Sequence, residues 1–186
     1  MSALDWAAYA PFAAGVDRPF RDLPREAAED HFARLMAARP ARRAALEALW
    51  AHNAGDAPPR LDDAGPAAVG ARLAAALGAA GRDALTGADA ALWTGLVADV
   101  ALWIGERVIA ASGGRLRWEL LTRRKKDTGY QRPVLVGFAG VADPDYYSDV
   151  AHIVASWAQL AARRRPNLKA DFLAVVEDTL RRDATG

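Results

Sequence analysis

Cysteine is absent from all 186 residues, which removes disulfides, thiolate zinc sites and cysteine nucleophiles together. Histidine is scarce: His31, His52 and His152 stand far apart, with no HExxH or H-x-H spacing to tie two of them to one metal. Neither a metal site nor a cofactor is therefore expected. No serine lies in a G-x-S-x-G elbow, and Gly137-Phe138-Ala139-Gly140 has neither the lysine nor the spacing of a phosphate loop. An excess of one charge is missing too. The formal net charge of +1 gives no general field for drawing in nucleic acid or an anionic membrane. The longest apolar stretch, ADAALWTGLVADVALWIGERVIAASGG, is broken by Asp99, Glu106 and Arg107. An Asp or Arg near a bilayer centre costs about 2.5 to 3.5 kcal/mol on insertion scales. The amino-terminal MSALDWAAYAPF carries an early Asp5 and no basic segment followed by an apolar run, so it does not read as a signal peptide. A soluble, cytoplasmic protein without a membrane partner is the expectation.

What the chain does contain is apolar bulk: 52% of residues are hydrophobic, but much of that is alanine, which makes the six tryptophans the first suspects as core anchors. The length suits a single domain, residues 1–186, that buries about 70% of the surface its unfolded form exposes. Residues 1–23, with four aromatics and two prolines, form an irregular arm in this reading. Charge is divided unevenly. Residues 1–114 carry 11 basic and 14 acidic side chains (net −3), and residues 115–186 carry 13 and 9 (net +4).

Periodicity then lays out the elements. Pro24 suits a first helical turn, with Phe32, Leu35 and Met36 as the following stripe. Pro40 opens a second helix carrying Leu46, Leu49 and Trp50. AGDAPPRLDDAG reads as a loop, and Pro66 starts an alanine-rich helix with Val69, Leu73 and Leu77. Thr86 and Asp89 resemble a helix-start box and Gly113-Gly114 a stop, which predicts a central helix of about seven turns. RLRWELL alternates, with Leu116, Trp118 and Leu120 on one face, and pairs with PVLVGF across a long basic tip, TRRKKDTGYQR. Two more helices follow. The first carries Tyr147, Val150, Ile153, Val154, Trp157 and Leu160 and is ended by Pro166; the second is capped by Asn167 and carries Phe172, Leu173, Val176 and Leu180. The predicted fold is α+β, one predominantly helical domain with its helices packed on a small antiparallel hairpin or sheet. Trp103 and Trp118 are expected in its core.

Two groups of residues could carry function. Asp99 and Glu106 lie seven apart on the central helix, on nearly one face and about 10 Å apart along its axis, too far to share a proton. They could flank a pocket with Trp103 between them, with His152 as a possible helper, and serve an enzyme. They could instead answer arginines on the adjacent strand or another helix, as a charge on an apolar helix requires. The second group is the basic tip, where Arg123, Arg124, Lys125 and Lys126 stand near Tyr130 and Arg132. These could contact phosphates while an aromatic stacks on a base, or form a solvated tip that keeps strands from pairing with other chains. Arg163, Arg164 and Arg165 close a helix, where the dipole welcomes cations.

The order of LDDAGPAAVGARL, ALWIGERVI and LRWELLTRRKKDTGYQRPVLVGF with a following DP resembles an uncharacterised group of small bacterial proteins. That group has a helix carrying G-E, a strand carrying W-E and a KKD-x-x-Y-x-x-PVLVGF segment. The likeness spans about residues 24 to 150 and falls on Gly105, Glu106, Trp118, Glu119, Lys125, Lys126, Asp127, Tyr130, Pro133, Gly137 and Phe138. It implies a compact α+β domain and brings no activity with it. With no catalytic constellation in view, the expected function is noncatalytic binding of another protein, as an adaptor or immunity-type inhibitor. The alternatives are a small enzyme with an acidic pocket at Asp99 and Glu106, and a weak nucleic-acid binder using the 123–132 loop.

Overall fold

Helices α1 (Arg25–Asn53), α2 (Leu61–Ala80), α3 (Asp83–Thr86), α4 (Ala90–Ala111), α5 (Val150–Ala162) and α6 (Phe172–Thr185) pack around strands β1 (Arg117–Leu120), β2 (Pro133–Val136) and β3 (Tyr147–Ser148). This computed structural model describes residues 4–6, 9–13, 15–16, 18–164, 169 and 171–185. The predicted roles of Arg165, Pro166 and Asn167 lie outside them. Helix α4 is the centre of the fold: Trp93, Leu96, Val100, Trp103, Ile104 and Val108 are buried along it against α1, α5 and α6. Among the described residues no helix is long and apolar enough to cross a membrane.

The sheet is antiparallel in the order β1-β2-β3, with Trp118 opposite Leu135 and Val136 opposite both Arg117 and Tyr147. The expected hairpin is present, and a third short strand joins it. Tyr147 belongs to that strand and not to the helix stripe. Helix α5 starts only after Asp149, whose side chain accepts the His152 backbone N–H at 2.9 Å. Leu160, expected on the buried stripe, is 40% exposed. Trp118, expected in the core, is half-buried and lies against it.

Prolines and glycines decide the remaining differences. Helix α1 runs through Pro40 where two helices were expected. Proline has no N–H for the carbonyl four residues back, that of Met36, and Arg39 Nε donates to that oxygen instead at 3.1 Å. Leu46, Leu49 and Trp50, all buried, give the second half its packing. At the start of α2, Leu61–Ala64 make a helical turn inside the predicted loop, and Glu47 of α1 accepts the Leu61 N–H at 2.8 Å. Gly65, at φ 72° and ψ 168°, breaks that turn, and Pro66 restarts the helix as its sequence position predicts. Thr86 caps nothing on α4. It ends α3, its hydroxyl donating to the Arg82 carbonyl at 3.2 Å, so α4 is 22 residues long, about six turns.

Candidate functional site

Asp99 and Glu106 project from α4 toward α1, and each meets an arginine of that helix. Asp99 is engaged from three directions. Arg42 donates through Nε at 2.9 Å and Nη2 at 2.5 Å, a fork against both carboxylate oxygens, and the Tyr9 hydroxyl donates at 2.6 Å. The third donor of Arg42 goes to the Ala10 carbonyl at 2.8 Å. With side chains 2% and 11% exposed, Asp99 and Arg42 form a closed pair that also ties the amino-terminal arm down. The arm reaches them because Gly95 lacks a side chain: a Cβ there would stand 2.5 Å from Pro11. Asn53 holds the arm farther along, accepting the Asp5 N–H at 2.9 Å and donating to the Asp5 carbonyl at 3.0 Å.

Burial, reinforced by the charge of Asp99 and opposed by Arg42, pushes the Tyr9 phenol far above its ordinary value. Tyr9 therefore stays a donor. Because the folded value is raised, the stability from this contact is present below about pH 10, the unfolded phenol's value, and is lost as pH rises through the folded one. Ultraviolet titration of the phenolate band near pH 10 should therefore look the same in wild type and in Tyr9→Phe. A transition near that pH that shrinks in Tyr9→Phe would contradict the buried contact.

Glu106 is different. Its Oε1 accepts from Arg39 at 2.7 Å and from the Trp118 indole at 3.0 Å, but its side chain is 42% exposed. The Trp118 ring reaches it across Gly105, where a Cβ would come within 2.2 Å of the ring. Trp103 turns away from both acids. Its indole donates to Asp62 at 3.0 Å, and the guanidiniums of Arg43 and Arg107 stand 6.0 and 5.4 Å from its ring centre. Asp62 also accepts from Arg43 at 2.6 Å and Arg107 at 3.2 Å. Burial would raise the Asp62 carboxyl, but the Trp103 hydrogen bond and the two arginines outweigh it and hold it below the usual carboxylate range. Asp99, Trp103 and Glu106 thus serve three separate contacts. Asp99, with three donors on its two oxygens and a side chain only 2% exposed, is enclosed by its partners. His152 is exposed at the start of α5. Among the described residues no group of three or more His, Asp or Glu side chains could hold a metal ion.

The basic tip is ordered by its own turns. Asp127 N–H bonds the Arg124 carbonyl at 2.8 Å, Tyr130 N–H the Asp127 carbonyl at 3.1 Å, and Gln131 N–H the Leu121 carbonyl at 2.6 Å. Arg124 and Gln131 hold φ of 56° and 59°, left-handed conformations that side chains other than glycine adopt only where the surroundings impose them. Gln131 also donates to the carbonyls of Phe20 and Leu23 at 2.7 and 2.9 Å, fixing the tip to the arm. Arg123 and Arg124 share Asp145 at 3.3 and 2.9 Å, and Arg132 lies 3.0 Å from Asp149. Tyr130 is half-buried. Lys125 and Lys126 are exposed, with no carboxylate partner among the described residues.

An open cleft of about 540 Å³ between α3 and the carboxyl end of α5 is lined by Arg82, Leu85, Thr86, Gln159, Ala162 and Arg163. Sequence reasoning gave Arg163 only a role at the helix dipole and passed over Arg82. The two are 81 positions apart, and no local pattern joins them. Comparison with known proteins gives no match: no family model fits the chain, and neither a curated protein nor a solved structure is detectably similar.

Proposed function

We propose that the protein is a noncatalytic binding domain for another protein, an adaptor or immunity-type inhibitor acting in the cytoplasm, and that the hairpin tip is its contact surface. The observation that carries this reading is the tip itself. Two left-handed non-glycine residues cost of order 1–3 kcal/mol each, and here they hold the loop between β1 and β2 in one shape, with Gln131 itself buried at its base. Its free charges, Lys125 and Lys126, suit an acidic patch on a partner. Two observations weigh against the alternatives. The acids that an enzyme would use are spent on Arg42, Arg39, Tyr9 and Trp118. Of the four consecutive cations that a nucleic-acid binder would use, Arg123 and Arg124 are engaged by Asp145, and the two remaining lysines neutralising two phosphates give a log-log salt slope of only about −1.8 on duplex DNA.

Capture from native cell extract tests the reading. Wild-type protein should retain a stoichiometric protein partner, and Lys125→Glu with Lys126→Glu should lose it with an unchanged denaturation midpoint. Retention of the same partner by the variant refutes the tip as the contact. Submicromolar DNA or RNA binding at physiological salt that the same variant loses would replace protein binding with nucleic-acid binding.

A further inference from the structure

We propose that the cleft between α3 and the carboxyl end of α5 binds a small phosphate monoester, held by the guanidiniums of Arg82 and Arg163. Its volume, about 540 Å³, falls within the range of small-molecule sites, roughly 300 to 1,000 Å³. Both arginines line it, and no acid does. On α1 and α4, Arg39, Arg42, Arg43 and Arg107 are each held by a carboxylate. Arg82 and Arg163 have no such partner among the described residues, and both are exposed at the cleft, so their guanidiniums are available to a ligand there.

The backbone holds the two arginines in relation to each other. Arg164, at φ 49°, ends α5 in a left-handed turn, and its Nε donates to the Gly78 carbonyl at 2.6 Å. That bond pins the residue after Arg163 to the last turn of α2, four positions before Arg82. Gln159 stands one helical turn before Arg163 on the same face of α5 and adds an amide to the lining. Leu85 and Ala162 supply an apolar wall for the organic part of a ligand.

Charge and donor number select the phosphate. A monoester carries about −1.5 to −2 at neutral pH and three terminal oxygens, which matches two guanidinium forks and an amide better than a lone carboxylate with two oxygens. The carbonyl end of α5 opposes an anion with about half a negative charge, less than the two full positive charges offset.

Phenyl phosphate is the probe, titrated by calorimetry and phosphorus NMR at ionic strength matched with sodium chloride, with benzoate as the carboxylate arm. The expected result is saturable one-to-one binding, at least about tenfold tighter than benzoate, weakened about tenfold by Arg82→Gln or Arg163→Gln and abolished by both together. Both side chains are exposed, so the double variant should keep the wild-type unfolding midpoint. Undiminished binding in that variant, equal affinity for benzoate, or no saturation would each overturn the proposal. The hairpin lysines take no part, so Lys125→Glu with Lys126→Glu should bind the probe like wild type.

Discussion

Asp99→Ala is expected to lower the stability of the protein by about 3 to 5 kcal/mol, whereas Glu106→Ala should cost about 1 kcal/mol. The two acids sit seven residues apart on one helix, and each has an arginine partner, so sequence treats them alike. Their surroundings do not. Removing the Asp99 carboxylate strands the Arg42 guanidinium, 11% exposed, and the Tyr9 hydroxyl without their acceptor. The penalty is therefore the cost of a buried charge left alone, not the modest net value of the pair. Removing Glu106 leaves Arg39, which is 37% exposed and can turn to water. A double replacement sharpens the test: Asp99→Leu with Arg42→Met should lose less than Asp99→Ala, because it removes both charges and keeps apolar volume. Denaturant midpoints measure all three, and an Asp99→Ala loss no larger than that of Glu106→Ala would contradict the buried pair.

Local rules made the elements legible. The apolar circumference of α4 announced the central helix, and alternation around Trp118 with β-branched residues after Pro133 announced the hairpin. The misreadings came where a distant group took over a local task. Pro40 is a sound helix break until Arg39 supplies the hydrogen bond that Met36 would otherwise lack. The loop before Gly65 holds a helical turn because Glu47, fourteen residues earlier, caps it. Strand β3 is two residues long, too short for any periodicity, and exists because β2 offers it an edge.

The candidate site was legible as a need but not as an answer. A charged Asp99 on an apolar helix demands a partner, yet nothing in one dimension selects Arg42, 57 positions away, or Tyr9, 90 away. The basic tip was plain as composition, while its partial neutralisation by Asp145 depends on the chain returning 21 residues later. Gly105, Glu106 and Trp118 share one physical reason in the structure. The missing side chain lets the indole lie on α4 and reach the carboxylate.

Trp103→Ala should likewise cost about 3 to 5 kcal/mol, near the top of that range. The side chain is 1% exposed at the centre of α4, so truncation leaves a cavity that the surrounding helices close only in part. Losses beyond volume follow from its edge and faces. The indole N–H binds Asp62, and its ring lies beside Arg43 and Arg107, which converge on the same carboxylate. Arg107 continues to Glu177, so the tryptophan couples α1, α2, α4 and α6. Trp103→Phe separates the two contributions, because it keeps most of the apolar volume and deletes the N–H. Without that donor the Asp62 carboxyl should rise toward its ordinary value. Its depressed folded value contributes stability that is present above the unfolded carboxylate pKa, about 4, and is lost as pH falls through the folded one. Trp103→Phe should therefore lose less stability than Trp103→Ala at neutral pH, and its deficit against wild type should shrink as acid titrates Asp62. Carbon-13 titration of the Asp62 carboxyl, with unfolding midpoints from neutral to acidic pH, checks both halves. An Asp62 value unmoved in Trp103→Phe would show that the arginines alone hold that carboxylate.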